Sequence, residues 1–291
     1  MEIGKVSCII PTYKRSDSLI RAINSVLSQS YDNLEIIVVD DNNPNDEYSL
    51  KVQERLLTIQ DERLKYIQQT KHINGAAARN EGILAARGEY IAFLDDDDEW
   101  GSKKLEDQIS KLKSDPLVGG VSTLYSLCAD GKVFRVCKPY TGEGLHRKIL
   151  QRSVSVFTST VVFRKEALSR SGYFDTSMVR HQDLQLLLDF LSKYKLTVVN
   201  KPHVMIHTDI GGNRPTAKEF IQIKELFFEK MKSHFEKYDL KTRKRIYSAH
   251  YFEIILLALR EKKVNLAILY WLKIGLRPSA YIDLFIRFRN R

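Results

Sequence analysis

Through about residue 115 the chain alternates short apolar runs with stretches whose apolar positions recur at helical spacing. Val6–Ile10, Glu35–Val39, Leu64–Ile67 and Tyr90–Leu94 each predict a strand, and runs such as Val6–Ile10 read as buried on both faces. Between them, Leu19, Ile20, Ile23, Val26 and Leu27 fall on one helical face behind a cap at Ser16 or Asp17. A second helix is expected from about Glu47 to Leu57, an Ala-rich third over Gly75–Ala86 stopped by Gly88, and a fourth after a cap at Ser102, with Leu105, Ile109 and Leu112 inward. This alternation predicts an α/β fold with a mainly parallel, Rossmann-like sheet covered by helices on both faces.

After Pro116 the pattern changes. Gly120–Cys128 and Lys132–Cys137 predict an antiparallel hairpin turning at Asp130-Gly131, which sets 128 opposite 133 and 137 opposite 124. Ser155–Phe163 and Leu196–Val199 predict further strands, Gln182–Lys193 a helix, and residues 217–291 are helical in pattern almost throughout.

A length of 291 residues with 43% hydrophobic content supports one large domain with an appendage, or two domains. The net charge of +10 suggests an anionic partner, a nucleotide or an anionic lipid surface. Nothing like a paired CxxC or an aromatic RNA-binding run accompanies it, so no nucleic-acid partner is expected. Cys8, Cys128 and Cys137 lack metal-binding spacing and read as reduced cytoplasmic thiols. The opening "MEIGKVSCIIPTYK" has no signal-peptide character, and no apolar run approaches the ~18 residues of a spanning helix.

In a parallel sheet, ligands sit beyond the carboxyl ends of the strands. Here the first strand runs into Pro11, Thr12, Tyr13, Lys14 and Arg15, the second into Asp40, Asp41, Asn42 and Asn43, and the fourth into Asp95, Asp96, Asp97, Asp98 and Glu99. Two carboxylates ~4 Å apart repel by ~4 kcal/mol at an effective dielectric near 20, so this run calls for a cation or for water. Hard oxygen donors select Mg²⁺ or Mn²⁺, and a D-x-D pair leaves coordination positions open for phosphate oxygens. Strand-like alternation would aim Asp95 and Asp97 to one side and Asp96 and Asp98 to the other. Neither a G-x-G-x-x-G after the first strand nor a P-loop occurs, so diphosphate charge falls to a metal and to Lys or Arg, with Arg79 a candidate; Gly75 would let backbone approach a ligand.

"VSCIIPTYKR", "VLSQSYDNLEIIVVDDNN", "NGAAARNEGILAARGEYIAFLDDDD" and "HQDLQLLLDF" resemble, in order and spacing, the motifs of family 2 glycosyltransferases, over about residues 4–210. The resemblance implies an A-type nucleotide-sugar transferase fold: a catalytic domain over 1–216, with a nucleotide-sugar half to about 115 and an acceptor half with antiparallel strands beyond it, then a helical extension over 217–291. It places Pro11, Thr12, Tyr13, Arg15, Asp41, Gly75, Arg79, Asp95 and Asp96 around the nucleotide-sugar, with Tyr13 on the uracil and Asp41 accepting from the ring N–H. Asp97, with Asp95, would hold Mn²⁺ or Mg²⁺, and His207 would complete the metal site unless it is an ordinary loop histidine. Asp183 matches the family's catalytic base, although Gln182 and Leu184 depart from the usual neighbours; a plain helix-start acid is the competing reading.

The implied reaction is metal-dependent, inverting transfer from a UDP-sugar to a hydroxyl of a saccharide or polyprenyl-linked saccharide, in a setting of surface-polysaccharide assembly. Two other classes fit in part: a nucleotidyltransferase, whose Gly-rich N-terminal loop is missing, and a non-catalytic nucleotide-sugar binder. Gly211, Gly212 and Asn213 suggest a flexible lid. Residues 260–291 hold eight Lys or Arg against Glu261 and Asp283. Tyr281, Leu284, Phe285 and Phe288 share a helical face there, while Leu266–Leu272 is apolar but too short to span. That region reads either as a hairpin packed on the catalytic domain or as a peripheral segment on an anionic membrane surface. A homodimer is among the partners that the sequence allows.

Overall fold

Strand β1 (Glu2–Thr12) organises the sheet, and Val6, Cys8, Ile9 and Ile10 on it are fully buried because both of its faces are covered. The computed structural model describes residues 1–208 and 215–275. After β1 come α1 (Ser16–Leu27), β2 (Leu34–Asp40), α2 (Glu47–Leu56), β3 (Leu64–Gln68), α3 (Gly75–Ala85) and β4 (Gly88–Phe93). These four strands are mutually parallel in the order β3-β2-β1-β4. Their carboxyl ends, at Thr12, Asp40, Gln68 and Phe93, therefore open onto one edge.

The chain continues through β5 (Glu99–Trp100), α4 (Lys104–Ser114), β6 (Val118–Ala129), β7 (Lys132–Val136), α5 (Leu145–Leu150), β8 (Val161–Arg164), α6 (Lys165–Ser171), α7 (Gln182–Leu191) and β9 (Lys195–His207). The sheet extends as β4-β8-β6-β9-β5, with β7 on β6. Strand β8 is antiparallel to both β4 and β6, whereas β6 and β9 are parallel. Four helices close the described chain: α8 (Ala217–Lys230), α9 (Lys232–Glu236), α10 (Leu240–Arg260) and α11 (Val264–Ile274). The mixed α/β class, with a mostly parallel sheet and a helical C-terminal region, is as the sequence predicts.

Two units pack separately. The first holds Met1–Gly142, Val156–Ser177 and the described residues from Asp189 to 208, which carry the sheet. The second holds Glu143–Ser155, Met178–Leu188 and the described residues from 215 onward. Its core gathers Ala249, Ile254, Ile255 and Ala258 of α10 with Ala267, Tyr270 and Ile274 of α11.

Several local expectations change. Ser155–Phe163 is not one strand: a 3-10 turn at Thr158–Thr160 precedes β8, and the Thr160 hydroxyl donates to the Phe157 carbonyl at 2.6 Å, a local bond that competes with the ladder. In the hairpin, Cys128 faces Val133 as expected. A bulge between Leu127 and Cys128 then shifts the register, and the Cys137 N–H donates to Tyr125 at 2.8 Å rather than facing Leu124. Ser16 and Ser102 do not cap; Arg15 and Lys103 hold those positions without side-chain hydrogen bonds. Strand β9 is longer than Leu196–Val199 and runs to His207. All three cysteines are free.

Gly82 lets α3 lie close on β1, since a Cβ there would sit 2.4 Å from Ile9 Cγ2. Gly82→Ala should destabilise the protein by about 1–3 kcal/mol, read as a lower urea midpoint with an unchanged slope. An unshifted midpoint would mean that α3 does not approach β1 this tightly.

Candidate active site

The apolar strand β4 ends at Phe93, and residues 95–98 then turn, with the Asp98 N–H donating to the Asp95 carbonyl at 3.0 Å. The four acids alternate in burial, but they sit in a turn rather than a strand, and Arg15 Nη1 reaches both Asp96 and Asp97, so the two pairs do not face opposite sides. Asp96 and Asp98 are buried, Asp95 and Asp97 half-buried. Thr12 Oγ1 donates to Asp96 Oδ2 at 2.8 Å, the Tyr13 N–H to the same oxygen at 3.3 Å, and Arg15 Nη1 to Asp96 Oδ1 at 3.3 Å. Asp98 accepts from Ser159 Oγ at 2.8 Å and from the His207 N–H at 3.3 Å. The two rim acids meet guanidinium groups: Arg15 pairs with Asp97, and Arg79, from α3, with Asp95.

These partners do not neutralise the turn. Burial, with the charge of Asp97 second, pushes the Asp96 carboxyl up to about 7. Burial and the neighbouring Asp95 raise Asp97 as well, and burial with Asp95 and Asp97 holds Asp98 well above the ordinary carboxylate range. The acids cost free energy as anions, which is the electrostatic condition for taking up a cation.

One strand over, Asp41 follows β2 and is buried, which raises its carboxyl; the Ile73 N–H, donated at 2.9 Å, and His72 oppose the rise. His72 Nδ1 lies 3.0 Å from Asp41 Oδ2, and its ring stacks on Tyr13 with centroids 4.0 Å apart and planes 15° from parallel. Tyr13 and Asp41, nominated separately from the sequence, are thus joined through His72. Pro11 is buried on β1 beside Val39. Gly75 opens α3, where Asn74 caps the amides of Ala76 and Ala77 at 3.0 and 3.1 Å.

His207 ends β9 with its ring on Glu99, Nε2 to Oε1 2.7 Å, and Arg21 Nε lies 3.1 Å from the same oxygen. Arg21 also donates to the Asp97 carbonyl at 2.9 Å. Asp183 belongs to the second unit, in the first turn of α7. The residue before that helix, His181, has a left-handed backbone (φ 64°); its carbonyl accepts from the Gln185 N–H at 3.0 Å, and its ring packs edgewise against Phe227 at 5.3 Å. The glycine-rich lid expected at Gly211, Gly212 and Asn213 lies outside the described residues, as does the face of Tyr281, Leu284, Phe285 and Phe288.

Sequence reasoning missed His72, Ser159 and Arg21. Ser159 Oγ accepts the Asp95 N–H at 3.2 Å while donating to Asp98, and Trp100 Nε1 donates to the Ser159 carbonyl at 2.9 Å. Also unforeseen is Lys104, fully buried with its ammonium 3.8 Å from the centre of the Trp100 ring and lowered to about 7 by burial.

Among the described residues no three acid, histidine or cysteine side chains converge as a metal cage. A cation shared with a diphosphate needs only one or two carboxylates, the rest of its shell coming from phosphate and water. The all-oxygen donors of Asp95 and Asp97, in a turn that resists ionisation, fit such a group.

The model for the family Glycosyl transferase family 2 matches residues 7–172. The amylovoran biosynthesis glycosyltransferase AmsB of Erwinia amylovora is 30% identical over 250 residues, which span 82% of this chain and 81% of that protein. The UDP-Glc:alpha-D-GlcNAc-diphosphoundecaprenol beta-1,3-glucosyltransferase WfaP of Escherichia coli is 30% identical over 191 residues, 65% of this chain and 70% of its own. Among solved structures, S. aureus TarS in complex with UDP-GlcNAc matches 90% of this chain and 89% of its own, with a TM-score of 0.62 and 16% identity. Mannosyltransferase PcManGT from Pyrobaculum calidifontis, in complex with GDP-Man and Mn2+, matches 97% and 83%, with a TM-score of 0.59 and 19% identity. At such identities the likeness concerns the fold, which is that of A-type nucleotide-sugar transferases.

The raised Asp96 makes a pH prediction. Its folded pKa of about 7 lies above the ~3.9 of an unfolded aspartate, so the fold holds this proton more tightly. That stabilisation is fully present below about pH 4 and is lost as pH rises through about 7. Without divalent cations, the melting temperature of Asp96→Asn should gain on wild type steadily between about pH 4 and pH 7 and level off above that. A difference independent of pH would contradict the assignment.

Proposed function

The chain belongs to glycosyl transferase family 2, and from that membership we propose that it transfers a hexose from a UDP-sugar to a hydroxyl of a saccharide or polyprenyl-linked saccharide, inverting the anomeric centre. The observation that carries the reading is the shared edge of β1, β2 and β4, where Tyr13, Asp41, Arg15 and the turn at 95–98 come from three separate strands. The relatives named for amylovoran and for diphosphoundecaprenol-linked glucosyl transfer support a polysaccharide or lipid-linked acceptor. The bound UDP-GlcNAc and UDP of the TarS structures support the uridine donor. The work would take place on the cytoplasmic face of a membrane.

In this reading Tyr13 packs on the base and Asp41 accepts its ring N–H. The His72 contacts hold both groups in place before the donor arrives. Asp95 and Asp97 would hold Mn²⁺ or Mg²⁺, which supplies positive charge to the leaving diphosphate. Arg15 and Arg79, on the same two acids, lie where guanidinium groups meet phosphate oxygens. His207 would complete the metal shell from β9; its ring rests on Glu99 and its backbone N–H on Asp98. Asp183 takes the proton of the acceptor hydroxyl as that oxygen attacks the anomeric carbon from the face opposite the diphosphate, which inverts the centre.

Supplied with a panel of UDP-sugars and a polyprenyl-diphosphate-linked saccharide, the enzyme should release UDP and extend the acceptor. Asp183→Asn should bind UDP as wild type does and lose about 10²–10⁴ in turnover. Turnover at the wild-type rate would remove the base assignment, and no transfer from any UDP-sugar would remove the donor.

A further inference from the structure

Nine of the eleven residues of helix α11 are apolar, the exceptions being Asn265 and Lys273, both exposed. Ala267, Tyr270 and Ile274 are buried in the core of the second unit. The opposite face presents Val264, Ile268, Leu269 and Leu272 to solvent, with Asn265 among them; Ile268 and Leu272 are 50% and 61% exposed. Helices apolar on every side are ordinarily covered by something. At 11 residues, about 16 Å, α11 is too short to cross a bilayer, and no described helix is long and apolar enough to do so.

The charges around the face indicate what covers it. Arg260, Lys262 and Lys263 precede the helix and Lys273 lies in its last turn. The one acid among them, Glu261, is paired with Lys263 at 2.7 Å. A second copy docked face to face would bring these cations toward their own equivalents, whereas an anionic surface matches them. Lys273 reaches back over the Tyr270 ring at 4.3 Å.

We propose that α11 lies flat in the interface of an anionic lipid bilayer, its outward side chains among the acyl chains and its terminal lysines on the headgroup phosphates. The placement deepens the reading of a lipid-linked acceptor, because it holds the enzyme at the surface where such an acceptor resides. It is measured without donor or acceptor, so its failure would leave the transfer reaction standing.

The test is co-sedimentation of the full chain with phosphatidylglycerol-containing vesicles and with pure phosphatidylcholine vesicles. Wild type should bind the anionic vesicles, more weakly as salt rises. Ile268→Glu with Leu272→Glu should weaken binding about tenfold or more, with an unchanged circular dichroism spectrum and unchanged UDP affinity. Lys262→Gln with Lys273→Gln, which spares the apolar face, should lower binding to anionic vesicles about tenfold. Failure of the full chain to bind anionic vesicles would overturn the proposal. So would wild-type binding by both variants, or a glutamate variant that splits a dimer while keeping its lipid affinity.

Discussion

Burial of the carboxylates of residues 96–98, with repulsion from their neighbours second, is the constraint around which the turn after β4 is arranged. The apolar strand β4 delivers them to the sheet edge, and neither the strand nor the turn can move them apart. The protein answers with two kinds of partner. Neutral donors, Thr12 and Ser159 hydroxyls with the Tyr13 and His207 amides, hold the two buried acids. Arginines Arg15 and Arg79 stand at the two rim acids, and Arg15 also reaches the buried Asp96. Burial still outweighs these partners at Asp96, Asp97 and Asp98, whose carboxyls remain raised. A cation beside such a turn would favour the ionised form of these acids.

The rest of the edge follows from strand direction. Parallel pairing of β1 with β2 and β4 puts the Tyr13, Asp41 and acid segments side by side although they lie far apart in sequence. Close approach of α3 to β1 at Gly82 seats that helix on the sheet, and its Arg79 reaches Asp95. Each position serves packing first and chemistry second. Ile9 must tolerate α3, and β4 must stay buried to its last residue, before the charged groups can be held where they are. The family match removes the nucleotidyltransferase alternative, which shares the parallel sheet and the carboxylates but not this set of motifs.

Much of this was legible in the sequence because it is written locally. The four parallel strands are short, mostly apolar runs, the hairpin is announced by Asp130-Gly131, and the acid run stands out in any reading. The bulge that moves Cys137 opposite Tyr125 has no such mark. Nor do the long-range polar partners. Ser159 looks like one more hydroxyl in a strand-like stretch, yet it contacts Asp95 and Asp98, more than sixty residues earlier. His72 sits in an unremarked loop, and only the fold sets it against both Tyr13 and Asp41. The aspartates could be nominated by type and spacing, whereas the groups that orient them are known only once distant strands are paired.

The central claim is that the turn at 95–98 is where a divalent cation and a uridine diphosphate meet. Crystals grown with UDP and Mn²⁺ test it most directly through the anomalous signal of manganese. The account predicts a peak about 2 Å from carboxylate oxygens of Asp97 or Asp95, bridged to the diphosphate, with the uracil against Tyr13. Manganese bound away from this turn, or UDP seated elsewhere on the protein, would contradict it.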